Sequence, residues 1–533
     1  MSTRAEDGAA GPRRRRLALS TAIFSAATGL SRILGLVREV VVRRTFGVEG
    51  EINAFTVAFQ VPNLVRALAA DMALGAAFVP VFSELLEKEQ RERAWRLAST
   101  LIWLFLIVLG AATGLFFLLA PWIMSLFGLG ELESLATGLS RVLFPVVVLM
   151  GVSGIVVGIL NSYEEFTVPA LMPVLWNGVI IASLLFVVPR FDDTEAQLYA
   201  YAGGILAGTV VQVVTPVWWL RGKDGRIRGV LDLRDPAVKR IFALMLPVTL
   251  GIGLINFNLV INTFFAARFV DPNLAPSSID AAFRLYMLPQ GMFSVAVATV
   301  LFPRLSRLAA REDLVGFRDT VSLGLRQIGF LLLPASAVSA VLAEPIVRLL
   351  YQRGEFTPDQ TPVVAGALAA FSLGLTFNGT MLMLNRAFFS LQSAWVPTAV
   401  ALGNLALNVV LNAVLYRVGV WGIPLATSLV NIVGTGALIV VFRRRLGRMD
   451  GRAIVSSYAR IAAASAAAAG AAYGVWFGLD ETMGRSLLAQ IASVGLGTAA
   501  GATAFLGFAR LLRVRELQTL LSLRRRSATT DRE

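Results

Sequence analysis

Apolar runs about as long as a membrane-crossing helix, near 20 residues, recur along the whole chain, separated by short polar gaps. They fall at roughly 17–46, 53–83, 95–127, 134–161, 167–189, 197–220, 237–268, 278–303, 317–350, 360–390, 394–416, 420–442, 453–478 and 486–513. Coiled into helices, such runs span the ~30 Å hydrocarbon layer of a bilayer. Barrel strands would be shorter and would alternate polar with apolar positions. The pattern predicts an all-α integral membrane protein with fourteen transmembrane helices.

The polar gaps alternate in charge. Every second gap is basic: RRRR (13–16), EKEQRERAWR (87–96), RGKDGRIRGVLDLRD (221–235), PRLSRLAARED (303–313), RRRLGR (443–448) and RRR (524–526). The gaps between them, among them RFDDTEAQ and GLDETMG, are poor in Lys and Arg. That alternation is the positive-inside pattern, and it predicts a multi-pass membrane protein with both termini cytoplasmic. The basic start and first apolar run imitate a signal peptide. The run continues past any cleavage site into Arg32, so a retained first helix is expected.

Composition narrows the chemistry. Charged residues make up 15% of the 533, where a soluble protein carries about 25%, so little room remains for a large soluble domain. The net charge of +14 follows from the basic gaps, and no nucleic-acid partner is expected. Without cysteine or histidine the chain forms no disulfides, His-based triads, or Cys or His metal sites. No ATP-binding P-loop occurs. GLGTAAG (495–501) lies inside an apolar run and reads as small-residue helix packing. No catalytic site, cofactor or metal is expected.

The two halves faintly repeat. PVFSEL (80–85) returns as PRLSRL (303–308), and Val168-Pro169-Ala170 returns as Val396-Pro397-Thr398, at offsets of 223 and 228 residues. Six helices repeated with the same orientation give two six-helix lobes around a central cavity, a transporter layout. The expected organisation is a basic N-terminal tail (1–16), an N-lobe (17–220), a basic linker (221–236), a C-lobe (237–442), two extra C-terminal helices (453–513) and a basic C-terminal tail (514–533).

Several runs carry charge that a bilayer does not tolerate unpaired. One charge at its centre costs about 2.5–3.5 kcal/mol on insertion scales. SRILGLVREVVVRRTFG (31–47) holds Arg32, Arg38, Glu39, Arg43 and Arg44. At 100° per residue, Ser25, Arg32, Glu39 and Arg43 fall within roughly 20° of one line, a polar stripe on an apolar rod. Asn63, Arg66 and Asp71 mark the second run, and Arg284, with Pro289 one turn on, marks the eighth. Arg43, Arg44, Arg268, Arg348 and Arg417 lie near run ends and read as snorkelling residues. Arg32, Arg38, Arg66 and Arg284 outnumber the carboxylates Glu39 and Asp71. A cationic cavity suits an anionic substrate, and arginine favours forked pairing with phosphate or carboxylate oxygens.

The stretch SRILGLVRE, with FGVEGEINAFTVAFQVPNLVRALAADMALGAAFVPVFSE, resembles the MurJ/MviN family of lipid II flippases, as do LPQGMFSVAVATVLFPRLSR (288–307) and LLYQRGEFTPDQT (349–361). The resemblance covers nearly the whole chain. It implies fourteen helices in two lobes plus a final pair forming a groove for a lipid tail. It also implies alternating-access movement of undecaprenyl-pyrophosphate-linked disaccharide-pentapeptide to the outer leaflet. Family-essential arginines match Arg32, Arg38, Arg66 and Arg284, and Glu39 stands where relatives often carry Asp. Phe283 stands where relatives often have an acid, and Met72 where many have Gly. Some members bind sodium; the matching candidates are Asn262, Asn404, Asn408, Asn412 and Thr427, which include no carboxylate and would hold a cation weakly.

The expected function is lipid II flipping, with lipid II and the bilayer as partners and a monomer as the working unit. Glu39 and Asp71 are the expected gating or ion-pairing acids, Glu39 pairing with a cavity arginine. The alternatives are a flippase for another polyprenyl-pyrophosphate-linked oligosaccharide and a drug exporter of the same superfamily, which for organic cations would want an acidic cavity. A membrane transferase would need a carboxylate cluster inside a run, and the Asp192-Asp193 pair lies in an outer gap.

Overall fold

The computed structural model describes residues 26–69, 72–447 and 449–518, with side chains at all of these except 69, 72–76, 247, 248, 250–252 and 255. Asp71, the tail 1–16 and residues 519–533 lie outside the described residues. The described chain is helical, and it falls into two compact units: one ends at Arg268, and the other begins at Phe269 and also holds Gly47–Glu49.

The first unit contains α1 (helical at 26–46), α2 (Ile52–Ala69), α3 (Met72–Glu87), α4 (Arg91–Leu126), α5 (Glu133–Leu143), α6 (Pro145–Ser162), α7 (Thr167–Phe186), α8 (Thr194–Trp219) and α9 (Pro236–Phe265). Its core is aromatic and aliphatic, with Phe78, Phe82, Leu101, Ile155 and Ile159 fully buried. A Cβ on Gly158 would lie 2.7 Å from Phe78, so a glycine there lets α3 and α6 close. Helix α9 packs on α2 and α3. The helix expected to open the second lobe therefore packs here with the first unit, because its partners are those two helices.

The basic linker is strapped along the start of α4. Trp103 donates to the Arg228 carbonyl at 3.0 Å, the Arg228 amide to Ser99 Oγ at 3.0 Å, and the Asp232 amide to Thr100 Oγ1 at 3.1 Å. Arg93 forks onto both carboxylate oxygens of Asp235, at 3.0 and 2.9 Å. Asp235 also caps α9 by accepting from the Ala237 amide, and the Arg93 guanidinium holds its carboxyl below the usual carboxylate range. Tyr163, which donates to Asp224, is pushed up to about 12, chiefly by burial.

The second unit contains α10 (Ala275–Pro289), α11 (Val295–Ala310), α12 (Leu314–Val341), α13 (Ala343–Tyr351), α14 (Gln360–Ser390), α15 (Trp395–Leu415), α16 (Gly422–Leu446), α17 (Gly451–Met483) and α18 (Leu487–Leu511). Asp313, Asp450 and Ser486 cap α12, α17 and α18. A π-helical turn, Gln290–Ser294, joins α10 to α11 directly after Pro289, whose missing N–H interrupts the α-helical ladder. On α18, Cβ atoms added to Gly497 and Gly501 would lie 2.9 and 3.0 Å from the α17 carbonyls of Ala472 and Ala468. The GLGTAAG stretch is thus used for close helix packing.

Among the described residues, eleven helices are long and apolar enough to cross a membrane. They match the expected third to sixth and eighth to fourteenth runs. The described residues of the first, second and seventh runs are also helical but fall outside the eleven. Three expected runs are each two helices end to end: α5–α6, α10–α11 and α12–α13. The repeated signatures occupy equivalent positions. Pro80 and Pro303 lie inside α3 and α11, and Pro169 and Pro397 lie in the first turns of α7 and α15.

Candidate functional site

Helix α1 presents its charges in different environments. Arg32 and Arg44 are exposed, Arg38 is half-buried, and Glu39 and Arg43 are 6% and 2% exposed. Arg43 donates from Nε (2.9 Å) and Nη2 (2.6 Å) to Glu39 Oε1. The acid expected to pair with Arg32, Arg38, Arg66 or Arg284 pairs instead with the arginine one turn further on. Arg43, expected to snorkel, is a buried partner. The i, i+4 spacing puts the two side chains on one face, and burial of both makes the pair obligatory. Ser25, the first member of the expected stripe, lies outside the described residues.

Arg38 is held differently. Its guanidinium carbon sits 4.8 Å from the centroid of the Trp176 ring on α7. Its Nε is buried with no hydrogen-bond partner among the described residues. On α2, Arg66 donates from Nη2 (3.0 Å) and Nε (3.3 Å) to Asn63 Oδ1, one turn back. Pro62 lies within the continuous α2.

In the second unit, Arg284 on α10 is exposed and pairs with Asp280, one turn earlier, at 3.1 Å. Phe283, just before it, packs against Tyr286 and Phe371. The acid beside this arginine is thus supplied by Asp280, which the i, i+4 spacing could have signalled. Arg348, expected to snorkel at a run end, is buried, pairs with Asp480 of α17 and lies 5.8 Å from the Trp476 ring centroid.

The candidate cation ligands divide between the units. Asn262 on α9 donates to Asn258 at 3.3 Å in the first unit. In the second, Asn412 donates to Asn408 at 3.0 Å along α15, and Thr427 donates to the Ile423 carbonyl at 3.3 Å. Asn404 lies against Gly434 of α16, where a Cβ would come within 2.4 Å of its amide nitrogen. These contacts are helix-internal bonding and close packing. Asp193, half of the Asp192-Asp193 pair, caps α8 through the Ala196 amide at 3.0 Å.

Outside the membrane runs, Glu51 stands near Asp193 and Glu195. Burial, and then those two negative charges, raise its carboxyl above the usual range, and its Oε2 is buried without a hydrogen bond among the described residues.

A family profile described as "Lipid II flippase MurJ" matches residues 42–505. The arginines of SRILGLVRE precede that stretch, whereas Arg66 and Arg284 fall inside it. The lipid II flippase MurJ of Burkholderia cenocepacia is 30% identical over 79% of this chain and 83% of its own length. The probable lipid II flippase MurJ of Vibrio cholerae is 32% identical over 78% and 81%. A solved structure of lipid II flippase MurJ in an inward closed conformation superposes with a TM-score of 0.75 at 23% identity, covering 92% of this chain and 99% of that one. An inward-facing multidrug resistance MATE family transporter superposes with a TM-score of 0.67 at 19% identity, covering 81% and 99%.

Proposed function

Because the chain belongs to the lipid II flippase MurJ family, we propose that it moves lipid II from the inner to the outer leaflet of the bacterial cytoplasmic membrane by alternating access. The observation that carries the reading to particular residues is Arg38. It is a half-buried arginine in an apolar helix, held over an aromatic ring, with no acceptor for its Nε among the described residues. Such a donor suits a phosphate oxygen. Arg32 and Arg66 of the first unit and Arg284 of the second are its proposed companions on the pyrophosphate.

The pairing of Glu39 with Arg43 removes Glu39 from the set of acids that compete with substrate for Arg38. Asp280 takes that part for Arg284: at 3.1 Å it neutralises the cation when substrate is absent and exchanges for phosphate when substrate is present. Asp71 is retained as a proposed gating acid. Fourteen membrane helices, cytoplasmic termini and a monomeric working unit complete the reading. The asparagines and Thr427 are proposed as a weak cation site at most, since they include no carboxylate and Asn412 and Thr427 each donate within their own helix, to Asn408 and to the Ile423 carbonyl.

The test is a flipping assay in reconstituted vesicles, with lipid II and other polyprenyl-pyrophosphate-linked oligosaccharides side by side. Preference for lipid II supports the reading. Equal transport of all of them would make the chain a general polyprenyl-pyrophosphate flippase. Transport of organic cations alone would make it a drug exporter.

A further inference from the structure

Two arginines five residues apart on α1 are held by opposite means. Arg43 gives Nε and Nη2 to the Glu39 carboxylate, so its hydrogen-bonding edge is occupied. Arg38 has its charge over the Trp176 ring, and its Nε remains unoccupied among the described residues. A ring face attracts a cation through its quadrupole and needs no particular N–H. An aromatic partner therefore fixes an arginine while leaving its donors available, which a carboxylate does not.

Trp176 is itself anchored. Its indole Nε1 donates to Thr209 Oγ1 of α8 at 3.2 Å, and Thr209 donates to the Ile205 carbonyl at 2.8 Å. One residue before Thr209, a Cβ on Gly208 would lie 3.2 Å from both Trp176 Cδ1 and the Trp176 carbonyl oxygen. The small residue lets α8 approach closely enough for the Thr209 bond. The chain of dependence runs from Gly208 and Thr209 to the Trp176 ring, and from the ring to the Arg38 guanidinium.

We infer that Trp176 is a positioning residue for the headgroup site, holding Arg38 so that its guanidinium meets a phosphate oxygen of the substrate. The inference rests on the reading that Arg38 grips the pyrophosphate. Its test uses the full chain in vesicles and two probes, undecaprenyl pyrophosphate without sugars and lipid II. Trp176→Leu should weaken binding of both probes by roughly three- to tenfold. Trp176→Phe, which keeps a ring face, should recover most of the loss. In an Arg38→Ala background, Trp176→Leu should add nothing.

The outcomes separate cleanly. If Arg38→Ala leaves binding of both probes intact, the pyrophosphate reading of Arg38 fails. If Arg38→Ala weakens binding and Trp176→Leu does not, the positioning role fails. Loss of lipid II binding alone would make Trp176 a sugar-contacting residue and overturn the inference. So would an undiminished Trp176→Leu effect in the Arg38→Ala background. Should Trp176→Leu not accumulate in the membrane, fluorinated tryptophan incorporated throughout weakens the ring quadrupole without changing the fold. Binding should then fall in the wild-type chain and stay unchanged in Trp176→Phe; equal responses would overturn the inference.

Discussion

Glu39 and Arg43 form a buried ion pair one turn apart on α1, with Nη2 2.6 Å and Nε 2.9 Å from the same carboxylate oxygen. Breaking a buried pair by removing one partner leaves an uncompensated charge, at a cost of about 3–5 kcal/mol. Glu39→Gln and Arg43→Ala should each lower the thermal unfolding midpoint and membrane abundance. Replacing both by apolar residues of similar volume should recover most of the stability. Arg44→Ala, at an exposed position, should leave both measures near wild type. Equal midpoints for Glu39→Gln and wild type would mean that the pair contributes nothing to folding.

The arginines proposed to grip the headgroup should behave in the opposite way. Arg38→Ala, Arg66→Ala and Arg284→Ala should insert and fold but lose flipping. Each charge-assisted hydrogen bond contributes roughly 1.5–3 kcal/mol, so losing one weakens headgroup binding about tenfold or more. Lysine at these positions should rescue partly, because a point charge does not fork two oxygens. The comparison is made at matched membrane abundance. Full activity of both Arg38→Ala and Arg284→Ala would remove the proposed pyrophosphate grip.

Topology is open to direct labelling, because the chain has no native cysteine. Gly222→Cys in the basic linker and Asp192→Cys beside the start of α8 are both at exposed positions. An impermeant thiol reagent should reach them from opposite faces of the membrane. Asp192 is the better choice of the Asp-Asp pair because Asp193 caps a helix. Labelling of both from one side would break the expected count of spans.

Hydropathy alone was enough to place most of the membrane-length helices, because a bilayer forces each crossing segment to be long, apolar and internally hydrogen-bonded. Eleven of the expected runs reappear as membrane-length helices. The repeat was legible for the same reason that it was faint: prolines at Pro80 and Pro303, and at Pro169 and Pro397, occupy fixed positions in helices whose other residues need only be apolar. Partner choice was not legible. Nothing in a run of apolar letters says that Arg348 meets Asp480, 132 residues away, or that Arg38 meets Trp176. Two partners were legible and missed. Glu39 with Arg43 and Asp280 with Arg284 are both i, i+4 pairs, the spacing at which a helix brings side chains together.

Glu51 gives a pH-dependent prediction. Its folded-state carboxyl titrates above the ordinary value, so the ionised form is the disfavoured one in the fold. The stability that this group contributes is present below its unfolded pKa and lost as pH rises through the folded one. Glu51→Gln should therefore raise the unfolding midpoint at neutral pH. The gain should vanish below 4.5, the ordinary value of a glutamate carboxyl. A gain that is independent of pH would point to a cause other than charge.

The final prediction concerns the driving force. The pyrophosphate link of the proposed substrate is anionic, and the cell interior is negative. Moving one negative charge outward gains about 2.3 kcal/mol per 100 mV. A potential of ordinary size thus favours the outer leaflet by more than a factor of ten per charge, without nucleotide hydrolysis, and the chain carries no P-loop to bind ATP. The arginines modify the sum. If a headgroup crossed the field together with the guanidiniums that hold it, the moving charge would shrink and the gain with it. If the arginines stay near their present depth while access alternates around them, most of the gain is kept. Flipping in vesicles with an imposed potassium-diffusion potential separates these cases. An inside-negative potential, with the basic gaps inside, should speed outward movement, and reversing the potential should slow it. A rate indifferent to the potential would mean that charge movement is compensated. A rate that needed ATP would refute potential-driven transport altogether.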